Sequence, residues 1–151
     1  MVSFMSEEEV RERLNGYNSA VQNFMIDALN SNICRFKRGC DTVIIVNKPE
    51  LQELHDTAIG LYLSILGNRI NAYVSLNEEN NCRDWLNLGE YDVSEKFNAV
   101  VTKAVHEAGK CNYCGNYVGY KNIRQVSFAG KSCTKCLPEA RAKDEPPGWY
   151  N

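Results

Sequence analysis

The sequence predicts a small α/β body in α-β-α-β-α order, followed by a C-terminal module built on four cysteines. Three observations carry this prediction. Apolar residues recur at spacings of three and four along three stretches, the period of a helix with one buried face. Two short runs, Val43–Val46 and Arg69–Leu76, carry the β-branched or alternating pattern of strands. The third observation is Cys111-Asn-Tyr-Cys114, followed after eighteen residues by Cys133-Thr-Lys-Cys136.

The first helix opens at Ser6-Glu-Glu-Glu9, a capping box in which Ser6 accepts from a first-turn amide and Glu9 reaches back. Val10, Leu14, Tyr17, Val21, Phe24 and Ala28 then lay an apolar seam along a helix expected over 6–29. Gly16 weakens that helix by about 1 kcal/mol relative to alanine. The seam packs onto the chain's own core or, as the alternative, pairs two copies in a homodimer. Cys34-Arg-Phe-Lys-Arg-Gly-Cys40 reads as a basic loop with one aromatic residue at its centre.

Val43-Ile-Ile-Val46 is apolar and β-branched throughout, which predicts a central strand buried on both faces. Pro49-Glu50 then starts a second expected helix, with Leu51, Leu54, Ala58, Leu61 and Ile65 on its inner stripe and Gly67-Asn68 ending it. His55 and Tyr62 sit at the rim of that stripe. In 69–76, Ile70, Ala72, Val74 and Leu76 share a face of a strand, and strand, helix and strand with short links predict a parallel crossover. Residues 77–91 read as a surface loop docked by Trp85, Leu86 and Leu88. A third helix is expected from Ser94 to about His106, with Val93, Phe97, Val100, Ala104 and Ala108 inward and Gly109 as its stop.

The cysteine module has a specific chemistry. Zn²⁺ in a structural site takes four ligands in a tetrahedron with Zn–S bonds of about 2.3 Å, and two facing Cys-x-x-Cys turns supply them. Gly115 follows the first pair, where the turn round a metal wants a residue free of Cβ restriction. Cys111, Cys114, Cys133 and Cys136 are therefore the expected ligands of one structural zinc ion. His106, five residues before Cys111, is a competing donor, although the end of a helix already favours a histidine there. Tyr117–Tyr120 and Arg124–Phe128 read as two strands with Lys121-Asn122 as their turn, and Leu137–Lys143 suits a short helix. The segment 110–143 resembles the zinc-ribbon and treble-clef zinc fingers. Knuckle, hairpin and then a helix at the second cysteine pair is the treble-clef order, where a plain zinc ribbon would continue into a third strand. The resemblance implies a metal that staples the fold and does no chemistry.

Three units follow: the body 1–109, the finger 110–143 and a Pro-rich aromatic tail 144–151. At 151 residues and 44% hydrophobic content the chain has enough apolar material for a real core. No apolar run reaches the 18 or more residues of a membrane span, and the acidic start lacks the form of a signal peptide. Seven cysteines without such a signal suggest reduced thiols and metal, hence a cytoplasmic protein with no membrane partner.

The net charge of −2 hides an asymmetry. Residues 103–143 carry eight Lys or Arg against Glu107 and Glu139, for +6, while 1–102 carry nine against fifteen acidic residues, for −6. Lys121, Arg124, Lys131, Lys135 and Arg141 around the cysteines, with Arg35, Phe36, Lys37 and Arg38 in the basic loop, are the candidate contacts to an anionic partner. A ring beside cations can stack on a base while they hold phosphate. No Gly-rich phosphate loop, Gly-x-Ser-x-Gly or His-Glu-x-x-His occurs. Cys34, Cys40 and Cys82 are tied to no histidine by spacing. The expectation is a non-enzymatic accessory or regulatory protein that docks on nucleic acid or a nucleoprotein machine. The alternatives are a phage-type protein that inhibits or modifies a host enzyme, with zinc as scaffold, and an enzyme whose site lacks any common signature.

Overall fold

A computed structural model describes residues 3–48, 60–75, 85–119, 122–126 and 130–138 of the chain. It is a mixed α and β protein. Helices α1 (Glu7–Arg13) and α2 (Ser19–Asn30) come first, then strands β1 (Cys34–Phe36), β2 (Thr42–Val46), β3 (Leu61–Leu66), β4 (Arg69–Ser75) and β5 (Trp85–Asp92). Helix α3 (Phe97–Ala108) follows, and strands β6 (Ile123–Val126) and β7 (Gly130–Cys133) belong to the cysteine module. The five body strands form one sheet in chain order, and β6 and β7 pair by themselves.

The capping box forms as expected, with both its side-chain and backbone hydrogen bonds present. The single long helix does not. After Arg13 the chain tightens into a 3₁₀ turn over Leu14–Gly16, and Asn18 caps a second helix by accepting from the Val21 amide. Gly16 and the competing side chain of Asn18 break what the apolar spacing alone would continue. The seam residues Val10, Leu14, Val21, Phe24 and Ala28 nonetheless all enter the chain's own core. Phe24 meets Phe97 of α3 edge to face, ring centroids 5.6 Å apart.

The sheet corrects the expected crossover. β2 and β3 are antiparallel, pairing from Val46 with Leu61 to Thr42 with Ile65, and β3 and β4 form a tight hairpin about Gly67-Asn68. Among the described residues of the body the order is two helices, five strands and a helix, and the strands expected as parallel neighbours, β2 and β4, are separated by β3. Leu61, Leu63 and Ile65 fit a period of two as well as the helical stripe fitted Leu61 and Ile65, and only the strand reading also buries Tyr62 on the opposite face. Gly67 has φ of +60°, at the first position of a two-residue hairpin loop. It is a strand turn, not a helix stop. The rest of the expected second helix, 49–59 with His55, lies outside the described residues.

Two further expectations change. Residues 85–91, read as part of a loop, belong to β5, which pairs along β4 with a register shift where Leu88 is skipped between Gly89 and Asn87. Gly89 takes φ of +108° at that irregularity. The segment 34–40 begins as strand β1, and Ser3–Met5 lie alongside it, with Met5 N–H donating to the Phe36 carbonyl and Arg38 N–H to that of Ser3.

Two-faced burial of the central strand holds. Ile44 and Val46 join Leu61, Leu63, Ile70, Ala72, Val74 and Leu88 against the helices, while Val43 and Ile45 join Tyr62 and Tyr73 on the other side. Leu76, expected to share the face of Ile70, lies outside the described residues. Gly60, just before β3, shows how closely the strands are laid. A Cβ there would stand 2.5 Å from the carbonyl oxygen of Val46, and φ is +156°. Gly60→Ala should therefore cost about 1–3 kcal/mol, because the obstacle is backbone and the conformation is one L-residues avoid. Gly16, with open space and no such φ, should accept alanine with a change within about 1 kcal/mol in either direction. Urea unfolding of the two variants should separate them by midpoint.

Candidate metal centre

The four cysteines predicted as ligands come together. Their sulfur atoms all lie within 4.8 Å of one another. The sulfurs of Cys114 and Cys133 are 3.9 Å apart, against an edge of about 3.8 Å for a tetrahedron with 2.3 Å bonds. The donor set and its spacing fit a four-coordinate metal ion. His106 is not in this group.

Local backbone rules build each half. In the first turn the amides of Tyr113 and Cys114 donate to the Cys111 sulfur at 3.3 and 3.4 Å, so the chain folds round that atom. Gly115, at φ of +76°, lets its own amide return to the Cys111 carbonyl. Strand β7 runs straight into the second turn, where the Cys136 amide donates to the Cys133 carbonyl. The hairpin between the turns is shifted from the expected one. The second expected strand, 124–128, corresponds to β6; its partner is β7, and Tyr117 instead bridges back to Lys110. Lys110 and Tyr117 thus frame the first cysteine pair.

The thiols are electrostatically unequal. Burial pushes the Cys111 thiol up, but amide hydrogen bonds from Cys114, Cys133 and Tyr113 outweigh it and bring the group down to about 6. Cys136 is pushed up to about 12, first by its hydrogen bond to Cys133, then by burial and by hydrogen bonds to Cys114 and Cys111. One negative charge settles in the cluster and resists the next. A divalent cation at the centre removes that resistance.

The module is locked to α3 by a residue that the sequence placed on the surface. Lys131 is fully buried. Its ammonium donates to Glu107 Oε1 at 3.1 Å, to the Lys110 carbonyl at 2.7 Å and to Asn112 Oδ1 at 3.1 Å, so all three of its protons have acceptors. It also lies at the C-terminal end of α3, where positive charge is favoured. Lys131 is a tether, not a contact to an anionic partner. Beside it, Tyr117 stacks on His106 with centroids 4.6 Å apart. A Cβ on Gly109 would meet the Tyr117 ring at 2.6 Å, so the helix stop is also the ring's seat.

The other predicted contacts fare differently. Arg38 pairs with Glu9 of the capping box and donates to the Phe4 carbonyl. Arg35 lies over the Phe4 ring, and Phe36 is buried in the core. Lys37 is half-buried beside Phe4, and Lys135 is exposed in the second cysteine turn. Arg124 stands on β6, while Lys121 and Arg141 lie outside the described residues. Cys34 is half-buried near Ser31, Cys40 is exposed, and neither belongs to the sulfur cluster. Cys82 and the tail 144–151 lie outside the described residues. No helix among the described residues is long and apolar enough to cross a membrane.

Comparison with protein-family models, with curated proteins and with solved structures finds no match to this chain. The site is therefore read from its own geometry.

Lys131 and Glu107 should respond unequally to replacement. Glu107 keeps 32% of its side chain exposed and can be hydrated alone, so Lys131→Met should cost about 1–2 kcal/mol. Glu107→Ala strands a fully buried ammonium on two neutral acceptors and should cost about 3 kcal/mol or more. Denaturant unfolding at pH 7 orders the two; the reverse order would mean that the ammonium reaches water once Glu107 is gone.

Proposed function

We propose that the four cysteines hold one structural Zn²⁺ ion and that the stapled module is a docking surface carried by the α/β body, with nucleic acid or a nucleoprotein complex as its partner. The observation that carries the metal reading is the cluster of four sulfurs within 4.8 Å of one another, with Cys114 and Cys133 3.9 Å apart. Four thiolates leave no ligand position for a substrate water, which favours a structural ion over a catalytic one. The proposal gives the protein no catalytic step. A treble-clef arrangement is favoured by the hairpin between the two cysteine turns and by the helical residues 137 and 138 directly after Cys136.

The nucleic-acid part rests on the charge division of +6 against −6 and on Lys135, exposed beside the cysteines. Basic modules bind phosphate largely by counterion release. One observation favours a second reading, a protein partner with the metal as scaffold: Lys131 and Arg38 are already spent on Glu107 and Glu9 within the chain. Fewer cations then remain for phosphate.

Zinc measured by atomic absorption should be one per chain and should fall well below one when any of Cys111, Cys114, Cys133 or Cys136 becomes Ser. Replacing Cys34, Cys40 and Cys82 together should leave it at one. A strong chelator should abolish order in 110–138 while most helical circular dichroism remains, since structural zinc contributes on the order of 10 kcal/mol to such modules and the body has its own core. Fluorescence titration with single- and double-stranded oligonucleotides should show affinity that drops steeply with salt. Absence of binding at low salt, with capture of a protein from nuclease-treated lysate, would replace the nucleic-acid reading with the protein one.

A further inference from the structure

The four sulfurs are not equally protected. Cys111 is fully buried, and the amides of Tyr113, Cys114 and Cys133 are directed at its sulfur. Cys133 is buried at 4% exposure. Cys114 is exposed and Cys136 half-buried, and the contacts given for their sulfurs are to other sulfurs of the cluster. A thiolate held on a metal keeps nucleophilic lone pairs, and its reactivity is set by access and by how far hydrogen bonds draw off its charge. Both controls act in the same direction here.

We infer that Cys114 is a modification site: the ligand at which soft electrophiles react first, opening the metal centre from its solvent side. This rests on the metal reading above. With an alkylating agent of the haloacetamide class, the Cys114 sulfur attacks carbon, a C–S bond forms, and halide leaves with the electron pair of the broken C–halogen bond. The thioether that results is neutral and a far weaker ligand than the thiolate. The centre then has three thiolates, and the first turn loses its anchor at Cys114 while Cys111 stays enclosed. Loss of the ion follows from that single event. Cys136 is the next most accessible sulfur and Cys111 the last.

The test uses the full chain loaded with zinc and carrying Cys34→Ser, Cys40→Ser and Cys82→Ser, so that only the four ligands can react. Its zinc content is measured first, and a content of zero sinks the metal reading independently of this one. Iodoacetamide is then added below one equivalent, the labelled cysteines are mapped by peptide mass spectrometry, and released zinc is followed with a chromogenic indicator. Labelling at Cys114 should exceed labelling at Cys111 on the order of tenfold, and one zinc should leave per first label. Equal labelling of all four, or first labelling at Cys111, Cys133 or Cys136, overturns the inference. First labelling at Cys114 with zinc fully retained overturns its second half.

Discussion

A buried ammonium joins the two parts of this molecule. Moving the Lys131 charge out of water is expensive unless each proton finds an acceptor, and the three acceptors come from different places: Glu107 and the Lys110 carbonyl at the end of α3, and Asn112 inside the first cysteine turn. Satisfying one cation thus fixes strand β7, the helix end and the turn relative to one another. The Tyr117 ring against Gly109 and His106 closes the same corner from outside. A cysteine module turning freely on the body would break all of these contacts together.

That constraint changes the electrostatic picture. Counting charges along the chain gives a basic C-terminal module, but Lys131 is neutralised inside it and Arg38 is neutralised against Glu9, whose carboxyl Arg38 holds below its usual range. Charge counts treat every lysine as solvated, and in a small module without much apolar core this fails easily. A long aliphatic stem with a satisfied head fills the place of a hydrophobic residue.

What could be read from sequence divides along physical lines. The capping box at Ser6, the two-faced burial of Val43–Val46 and the gathering of the four cysteines follow from short patterns, and each is present. The helix expected over 49–67 failed at its far end because Leu61 and Ile65 satisfy both periods, and only pairing with Val46 and Ile44 across the sheet decides between them. Gly67 reads as a helix stop or as a hairpin turn for the same reason. In the cysteine module the strand at Arg124 is legible and its partner is not: Gly130–Cys133 has no apolar alternation to mark it as a strand. The buried role of Lys131 leaves no trace in a one-dimensional pattern, because its acceptors lie nineteen or more positions away.

The order of strands in the body equals their order along the chain, each antiparallel to the one before. During synthesis every strand after β1 would therefore emerge with a partner already made, and no gap among these five strands would wait for a distant segment. Such neighbour-to-neighbour pairing keeps loop-closure costs low. All four clustered cysteines follow the last turn of α3 in the chain, so the sulfur cluster arises only after the segment of the body's final helix. An ion held there would be captured last, on a platform whose segments all precede it in the chain.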